Sequence, residues 1–494
     1  YTNCSSVLTL GTFDPSYSYS TSCPLVGTDV LGCTSLSTAG TTYTVVNDIS
    51  NDTLTGDCLI VSAANVTLDC SGYLISSEDN FTGVYSNQFN TTIKNCNISM
   101  GSENVQAKGI ELLDGADNST LLNNSFYGAM NYGIWFGAED SLIANNSANI
   151  TSTTVVASGI YFSGAYNNTV RGNTMHAYRG AGIYITSSSS YNLIINNSAS
   201  STIDYGVYFL VSNNNLINNT IESDSDYSLY LNSADNNNIT GNIVSSNSNY
   251  GIRLFSGSDN NVFTKNIISS GSNAGVSFSN ANNNLFRWTN TSGTYGFLLQ
   301  DASNNTFKDC VFVNGTTNDV TVNSDVSPGT HNNSFINCSY DSESVNGVGN
   351  DITRKWYYSA YVNDSSGVAV SGANVSAYNS SGGLEFLEVT NGPLEVASSD
   401  SLFNGLVGYW KMNNDSSVGE NDTHVYDHSG SGNNGSVTSA VVSSNGKING
   451  GFSFDGSGDD IDIPELVSNV SGTFTAWFKS NSSAAQYIIG SSYS

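Results

Sequence analysis

The feature of this sequence that most constrains its fold is a repeat of about 23 residues that runs from Gly83 to Phe335. The first phrase of each repeat is a glycine, an aliphatic residue, any residue and an apolar residue, as at 159–162 and 182–185. The second phrase places an asparagine three positions after an apolar residue, with an apolar or small residue two positions later. This period, with short alternating segments and no helical spacing, predicts one turn of a parallel β-solenoid.

The asparagine of the second phrase is predicted to line the interior of the solenoid. Successive turns stack about 4.8 Å apart, so one position in every turn forms a column, and roughly ten turns make a stiff rod about 50 Å long. An asparagine tolerates the left-handed backbone of a bend, and its amide can donate to one neighbour and accept from the other. The predicted column comprises Asn124, Asn146, Asn173, Asn197, Asn219, Asn242 and Asn266.

Charge and hydropathy exclude several classes of partner. The net charge of −28, with 13 Lys and Arg against 41 Asp and Glu, excludes a nucleic-acid surface and disfavours anionic membranes. No run of about 20 apolar residues is present, so we expect no transmembrane segment. A chain of 494 residues is long enough for two to four domains.

Eight cysteines favour an oxidising, extracellular compartment. Cys310 and Cys338 take the place of the ladder asparagine in the last two repeats, where equal phase puts their Cα atoms within disulfide range. We expect them to pair, and the alternative is two reduced core thiols. The pairing of the other six stays open: Cys4, Cys23, Cys33, Cys58, Cys70 and Cys96.

The sequence also carries about 27 Asn-x-Ser/Thr acceptors for N-linked glycans. Several of them directly precede a ladder asparagine, and neighbouring side chains of a strand or bend point opposite ways. These acceptors should therefore face outward if the ladder faces inward, although an asparagine-rich solenoid produces some triplets by chance. The candidate glycosylation sites are Asn123, Asn145, Asn167, Asn196, Asn218, Asn238, Asn304 and Asn332.

The segments at 55–61, 65–72 and 92–96 resemble right-handed parallel β-helix surface proteins of archaea, whose repeats are similar to those of the NosD-like periplasmic family. The resemblance covers about residues 33–345. The family name suggests copper, but the four His and four Met are scattered and offer no cluster of soft or imidazole ligands. No copper site is therefore expected.

The chain is expected to be all-β, with a right-handed parallel β-helix followed by a C-terminal β-sandwich or jelly-roll segment. Residues 1–40, rich in Ser, Thr, Tyr and Cys, should form a disulfide-stapled cap, and residues 41–350 should form the β-helix. Residues 351–400 look like the opening strands of an Ig-like or carboxypeptidase-regulatory-like sandwich, which is too short to be complete.

Residues 401–494 look like a laminin-G-like, concanavalin-type jelly roll, a resemblance that implies glycan or protein binding, often with calcium. The matching polar loop makes Asp427 and Asn433 candidate calcium ligands, and the alternative is that they close a tight turn. Several strands of such a domain are missing before Ser494, so the chain is a fragment or another chain completes the sheet. The motifs lie at 405–412, 427–435, 450–456, 459–464 and 473–479.

Two non-enzyme functions are compatible with this organisation. In the first, the protein is a structural subunit of a cell-surface filament or surface layer, and its incomplete C-terminal domains join identical subunits through exposed edge strands. In the second, it is a stalked adhesin that binds glycans or another cell through the laminin-G-like segment. Both functions place the protein outside the cell, at its surface.

A polysaccharide-active enzyme is the third possibility, because extracellular β-helices include polygalacturonases and pectate lyases. Glycoside hydrolysis needs two carboxylates about 5 to 9.5 Å apart, and the paired-Asp and Gly-His-Gly motifs of polygalacturonases are absent. His176 stands alone, and the acidic stretch 222–226 is more typical of a hydrated turn than of a cation site. We therefore expect no enzymatic activity.

Overall fold

A computed structural model describes residues 28–102, 107–153, 157–324, 330–347, 349–357, 362, 370–378, 383–389, 408–413, 420–429, 432–443 and 450–463. The chain divides into two compact units, Tyr1–Tyr357 and Tyr358–Ser494. The described residues contain no helix, and so none that is long and apolar enough to cross a membrane.

The first unit is a parallel β-solenoid of about 13 turns, which confirms the fold predicted from the repeat. Each regular turn adds one short strand to each of three parallel sheets. Inward side chains are apolar and fully buried, as at Ile160 and Phe162, while the residue between them, Tyr161, faces outward. This alternation is what the two-residue period of a strand requires when one face of the sheet is buried.

The first sheet contains 15 strands, and the central residue of each regular strand enters the core. Val170, Ile194 and Leu216 lie in register there. The strands are Asp29–Val30, Thr42–Val45, Thr67–Asp69, Thr92–Lys94, Thr120–Leu122, Leu142–Ala144, Thr169–Arg171, Leu193–Ile195, Asn215–Ile217, Asn238–Thr240, Val262–Thr264, Leu285–Arg287, Thr306–Lys308, Asn333–Ile336 and Ile352–Lys355.

The second sheet follows the first across a sharp bend. Its strands are Ile49–Ser50, Leu74–Ser77, Asn97–Met100, Ser125–Gly128, Ser147–Ile150, Thr174–Ala177, Ser198–Ser201, Thr220–Ser223, Ile243–Ser246, Ile267–Ser270 and the first halves of Asn290–Gln300 and Phe312–Asn323. Those last two strands continue into the third sheet, so the turn between the sheets is shortest there.

The third sheet contains the first phrase of the repeat. Its strands are Thr34–Leu36, Leu59–Val61, Thr82–Ser86, Lys108–Leu112, Tyr132–Phe136, Ser158–Ser163, Ile183–Thr186, Val207–Phe209, Leu229–Asn232, Ile252–Phe255, Ala274–Ser279, the second halves of the two long strands, and Glu343–Asn346. The glycine of the phrase leaves no room for a side chain, because a Cβ at Gly159 would lie 2.7 Å from the Gly182 carbonyl oxygen.

Two columns of buried asparagines hold the bends of the solenoid. The first contains the residues that the second phrase predicts, from Asn124 to Asn266, each at most 3% exposed. The second was missed by the sequence analysis and lies at the bend between the third and first sheets. Its members are Asn168, Asn192, Asn214, Asn237, Asn261, Asn284, Asn305 and Asn333.

Disulfides stand at both ends of the first ladder. Cys70 is bonded to Cys96, whose backbone N–H donates to Asn124 Oδ1 at 3.0 Å. Beyond Asn266 the column continues with Thr289, and then Cys310 is bonded to Cys338 with Cα atoms 4.5 Å apart. Cys33 pairs with Cys58. Cys4 and Cys23 lie outside the described residues.

The solenoid begins earlier than the boundary predicted at residue 41. Asp29–Val30 pairs in parallel with the strand Thr42–Val45, and Thr34–Leu36 pairs with Leu59–Val61. Residues 29–36 are therefore already part of the first turn rather than of an irregular cap. These strands are not evident in the sequence, because the apolar phrases of the repeat are short and degenerate in this turn.

The second unit contains short antiparallel sheets. Val425, Val437 and Ala440 are buried, and Trp410, Met412, Phe452 and Ile461 pack against them. The motif at 473–479 lies outside the described residues, and the Ig-like and laminin-G-like assignments stay predictions. The strands are Asn374–Tyr378 with Leu384–Val389, His424–Val425 with Gly435–Thr438 and Asp460–Asp462, and Val441–Ser443 with Gly451–Ser453.

Candidate ligand-binding face

The outward side of the third sheet carries a column of aromatic side chains, one from each of five successive turns. The column sits at the third position of the first phrase, which strand register aligns from turn to turn. Glu111 precedes it in register and Arg253 follows it. The members of this aromatic column are Trp135, Tyr161, Tyr184, Tyr208 and Tyr230.

The rings of the aromatic column contact one another along the solenoid axis. The centroids of Tyr184 and Tyr208 are 4.8 Å apart and those of Tyr208 and Tyr230 are 4.7 Å apart, with interplanar angles of 17° and 9°. Tyr161 meets Tyr184 edge to face at 5.1 Å, and Trp135 lies 4.6 Å from Tyr161. Stacked rings present their edges and hydroxyl groups, rather than their faces, to a ligand.

A second aromatic row flanks this column one residue before the first phrase. Tyr205, Tyr227 and Tyr250 are half-buried and follow one another at 5.8 and 5.4 Å. Tyr205 lies 4.9 Å from Tyr208, so the row and the column form one continuous surface. Aromatic side chains combine apolar area with little conformational entropy, and tyrosine adds a hydroxyl group, which makes such surfaces suited to binding polar ring-shaped ligands.

Charged side chains close both ends of the aromatic column. At the first end Lys108 forms an ion pair with Glu111, and its Nζ lies 4.5 Å from the Trp135 ring. At the other end the Arg253 guanidinium lies 4.9 Å from the Tyr227 ring and 4.9 Å from the Phe255 ring. Arg253 donates to the Tyr227 hydroxyl, while its buried Nε has no partner.

Burial raises the pKa values of several tyrosine hydroxyl groups on this face. Desolvation, assisted by the neighbouring Tyr208, raises the pKa of Tyr230 to about 12. Burial also raises the pKa values of Tyr184 and Tyr205 well above the ordinary value. At neutral pH the face therefore offers phenol groups that both donate and accept hydrogen bonds.

The turn between the second and third sheets places two carboxyl groups beside the tyrosines. Asp204 Oδ2 accepts from the Gly180 backbone N–H at 2.7 Å, and Asp226 Oδ1 accepts from the Asn249 side-chain amide at 3.1 Å. Burial raises the pKa of Asp226, and the nearby Asp204 charge adds to the effect. These contacts fix the carboxyl groups in the turn.

His176 lies on the second sheet, where the hydroxyl groups of the next turn surround it. Its Nδ1 is 3.0 Å from Ser200 Oγ and its Nε2 is 3.5 Å from Thr202 Oγ1. Burial lowers the pKa of the imidazole, and the Asp224 charge partly offsets this effect. Within the described ranges no three His, Cys, Asp or Glu side chains are grouped so that they could hold a metal ion.

The candidate calcium ligands of the second unit close a turn. Asp427 Oδ1 accepts from the backbone N–H groups of Tyr409 and Ser429, and Oδ2 accepts from the Ser429 hydroxyl and the Asn433 N–H, all at 2.8 to 2.9 Å. The Asn433 carbonyl accepts from the Trp410 indole. A carboxylate has about four acceptor positions, and these donors occupy all four on Asp427, so calcium binding at Asp427 and Asn433 stays a prediction.

The candidate glycosylation sites lie mostly on the bends. All except Asn238 are exposed and have φ between 52° and 58°, the left-handed region in which asparagine is tolerated. Asn238 is half-buried on a strand and donates to Asn215. No acceptor triplet occurs in the third-sheet strands or preceding turns at 130–136, 178–186, 202–210, 224–232 and 247–255.

A polar hollow of about 310 Å³ lies at the bend between the third and first sheets. Asn118, Asp140 and Asn167 line it, and two of these begin acceptor triplets. It is open and has no aromatic wall. The tyrosine-bearing face is therefore the better candidate for ligand binding.

Sequence reasoning missed both the aromatic column and the second ladder. The column occupies the position that the first phrase treats as any residue, yet that position is aromatic in five consecutive repeats. The second ladder is visible as the second residue of recurrent Asn-Asn pairs, as at 213–214 and 260–261. Both features become visible when every position of the repeat, including those outside the two phrases, is aligned from turn to turn.

Comparison with known proteins agrees with this fold. The family model described as "Right handed beta helix region" matches residues 36–199, 142–291 and 205–375. No curated protein sequence matches the chain. Among solved structures, the A-module of mannuronan C-5 epimerase AlgE6 from Azotobacter vinelandii shares 14% identity at a TM-score of 0.41, over 65% of this chain and 89% of that one.

Two other solved structures are similar to the same extent. The surface adhesin PfbA of Streptococcus pneumoniae shares 13% identity at a TM-score of 0.40, over 58% of this chain and 84% of that one. The tailspike protein of E. coli bacteriophage HK620 shares 13% identity at a TM-score of 0.39, over 65% of this chain and 71% of that one. At this identity the likeness concerns the fold and does not extend to ligand or chemistry.

One expectation from the sequence has to be corrected. The absence of paired-acid motifs led to the prediction that the chain is not an enzyme. The solved structures that it resembles in fold include alginate epimerases, so the absence of these motifs does not exclude an enzyme, and the prediction was wrong to do so. Motifs of one enzyme class are not a test for other reactions on the same scaffold.

Proposed function

Because this chain belongs to the family of right-handed β-helix regions, we propose that it is a rigid extracellular rod whose aromatic face binds a saccharide chain. The observation that carries the proposal is the aromatic column with its flanking tyrosine row. The fold itself does not require these rings: in the next turns the same register position holds Arg253, Ser277 and Leu298. A surface property therefore accounts better for five consecutive aromatic residues.

The distribution of glycan acceptors supports this assignment. Exposed acceptors occur on both asparagine-lined bends, whereas the strands and turns of the aromatic face from residue 178 to residue 255 that carry the tyrosines have none. Glycans at Asn123, Asn145, Asn196 and Asn218 would then leave this face accessible. We propose that these exposed bend sites are glycosylated, which intact-mass and peptide analysis of the native protein would test.

The cysteines fit the proposed location. Cys33–Cys58, Cys70–Cys96 and Cys310–Cys338 are disulfide-bonded, and the described residues contain no free cysteine. Stable disulfides are typical of oxidising compartments outside the cytoplasm. The excess of carboxylates over cations also suits a protein that remains soluble at a surface.

A binding experiment with matched variants tests the proposal. Neutral and acidic polysaccharides are first screened on an array, and hits are measured by calorimetry with the intact chain. The double variant Tyr208→Ser and Tyr230→Ser, which introduces the residue found at position 277 of the same column, should weaken binding at least tenfold, the scale of one strong contact residue.

The control is Tyr166→Ser, because Tyr166 is exposed and aromatic but pairs with Tyr191 at a different bend. It should bind like the unmodified protein. Equal affinity of the double variant and the control would show that the aromatic face is not the binding surface. No binding to any polysaccharide on the array would reject the proposed function itself.

A structural subunit of a cell-surface filament or surface layer is the second candidate function. The observation that favours it is the continuous stack of about 13 turns with two asparagine ladders, the first of which has Cys70–Cys96 at one end and Cys310–Cys338 at the other. Electron microscopy of native material tests it, because filaments or lattices would support the subunit and isolated single rods would exclude it.

A further inference from the structure

The surface of the solenoid changes abruptly at the bend between the first and second sheets after residue 241. In the five preceding turns, from Ser125 to Thr220, the first outward position of the second sheet is Ser or Thr. In the next turns the aligned positions are Ile243, Ile267, Asn290 and Phe312. Ile243, Ile267 and Phe312 are 50%, 53% and 51% exposed, so apolar side chains replace hydroxyl groups in three of these four turns.

The bend itself changes at the same place. Earlier turns put Asn196, Asn218 or Gly241 at its left-handed position, and the following turns put Lys265 and Trp288 there, with φ of 55° and 48°. A bulky side chain in this region is an outlier that costs about 1 kcal/mol or more and is typical of functional positions. The Trp288 ring is 45% exposed, so burial does not offset that cost.

Cations border the apolar residues. Arg287 and Lys308 are in register on the adjoining edge of the first sheet, and Lys265 occupies the bend two residues before Ile267. In the part of the chain that the structure describes, no carboxylate is within ion-pair distance of these three side chains. The buried Nε of Arg287 has no partner. The one carboxylate at this bend, Asp309, accepts from Asn337 at 2.8 Å.

These residues form one surface, which we call the basic-apolar patch: Ile243, Ile267, Trp288 and Phe312 with Lys265, Arg287 and Lys308. An apolar centre with Trp and a charged rim containing Arg is the composition of a protein–protein contact. An exposed apolar cluster of this kind marks an interaction site on a soluble protein. The chain has 13 Lys and Arg residues, and three of them lie in this patch.

We infer that the basic-apolar patch binds the acidic turn of a second copy of this chain, by which we mean Glu222 at the end of the second-sheet strand Thr220–Ser223 with Asp224 and Asp226 of the turn that follows. Charge complementarity supports this occupant, because Glu222 and Asp224 are exposed and opposite in charge to the three cations of the patch. A contact between two different surfaces of identical chains repeats head to tail and gives an open filament unless the rotation closes a ring. The inference rests on the second candidate function and names its joint.

Substitutions that restore the residues of earlier turns test the patch without disturbing the fold. Ile243→Thr with Trp288→Asn introduces the side chains found at Thr220 and Asn218, so thermal stability should be unchanged or higher. Self-association of the intact chain, measured by sedimentation velocity, should weaken at least tenfold. The control is Tyr191→Asn, which also replaces an exposed aromatic residue of positive φ at the other bend and should associate normally.

A charge exchange identifies the partner surface. Lys265→Glu with Lys308→Glu makes the patch acidic, and Glu222→Lys with Asp224→Lys makes the turn basic, so each variant alone should fail to associate. Mixing the two variants restores opposite charges at every joint and should restore association. The restored association should weaken in about 1 M salt, where the Debye length is about 3 Å.

Other results would overturn the inference. If the unmodified chain sediments as a monomer while native material forms filaments, the joint lies elsewhere and the structural function survives. If neither assembles, both fail. A glycan on Asn290, which lies between Ile267 and Phe312 in register and begins an acceptor triplet, would show that carbohydrate rather than a second copy covers the patch.

Discussion

The side-chain oxygen of Asn219 accepts two hydrogen bonds from Asn197, one from its backbone N–H at 2.8 Å and one from its side-chain amide at 3.0 Å. The same amide also donates to the Val170 carbonyl at 2.9 Å. The amide also donates to the Ile195 carbonyl of its own turn at 3.1 Å, so the other hydrogen bonds of this ladder residue depend on the turns on either side. This arrangement makes burial of a polar column compatible with a stable core, because an unpaired buried amide is costly.

Loss of one ladder residue should destabilise the solenoid. Asn197→Ala in the first ladder and Asn214→Ala in the second should each cost about 1 to 3 kcal/mol, because buried donors and acceptors of the adjacent turns lose their partner. The control is Asn215→Ala, since Asn215 is half-buried on the outer side of the strand. Urea unfolding, with an unchanged m-value, measures the free energy of unfolding of each variant. Equal midpoints for Asn214→Ala and Asn215→Ala would contradict a structural role for the second ladder.

The fold was predictable because its signal repeats. A buried position such as Ile194 must be apolar in every turn, and Asn197 must be an amide to pair with its neighbours. The same residue types therefore recur at the same positions of successive repeats. The first turn was missed because Cys33 and Thr34 stand where the first phrase has a glycine and an aliphatic residue, and because the strand Asp29–Val30 has only two residues. The second ladder was missed because its Asn-Asn pairs also fit glycan acceptors and turns.

The candidate sites were harder to predict, because outward positions are free to vary from turn to turn. Tyr208 and Ser277 occupy one column on the same face, and only strand register shows that five aromatic residues are consecutive in space. The patch residue Trp288 occupies a bend position that favours asparagine, so no local preference points to it. The candidate sites consist of residues that differ from the consensus of the repeat, and a search for that consensus does not detect them.

Alkaline pH should destabilise the solenoid through the tyrosines. Tyr230 ionises at about 12 in the folded state and at about 10 when unfolded, so the unfolded state loses its proton first. The stabilisation is complete below pH 10 and is lost as the pH rises to about 12. Thermal midpoints measured across this window should fall, and Tyr230→Phe should reduce the fall. Tyrosinate absorbance that rises fully by pH 10 in the folded protein would disprove the assignment.

Protonation of His176 should destabilise the folded state at acidic pH. Burial lowers its pKa in the folded state, so the unfolded state, with a value near 6.5, binds the proton first as the pH falls. The stabilisation is complete above pH 6.5 and is lost as the pH falls through the folded value. Imidazole titration by NMR measures the shift directly. Asp224→Asn removes a charge that raises the pKa, so it should lower the folded value further, and an unchanged value would contradict this geometry.

Removal of the last disulfide should loosen the end of the solenoid. Cys310 and Cys338 close a loop with a sequence separation of 28, for which chain entropy predicts a loss of about 3.5 kcal/mol. The double variant Cys310→Ala and Cys338→Ala should increase hydrogen exchange in the strand Asn333–Ile336, while the strand Thr92–Lys94 beside the intact Cys70–Cys96 bond stays protected. Uniform exchange along the whole stack would instead show that the turns unfold as one unit.

Asp427 should stabilise the second unit as a turn-closing acceptor rather than as a cation ligand. Protein donors occupy its four acceptor positions. Burial by itself raises the pKa of this carboxyl, but the hydrogen bonds from the N–H groups of Tyr409, Ser429 and Asn433 outweigh burial and lower the pKa. Asp427→Ala should therefore cost about 1 to 3 kcal/mol, since these donors would lose their partner. The thermal midpoint of this unit measures the loss in the intact chain, with Asp455→Ala, an exposed carboxylate of the same unit, as the control. Calcium should leave the unmodified midpoint unchanged, and a calcium-dependent rise that disappears in Asp427→Ala would show that the carboxylate exchanges its protein donors for the ion.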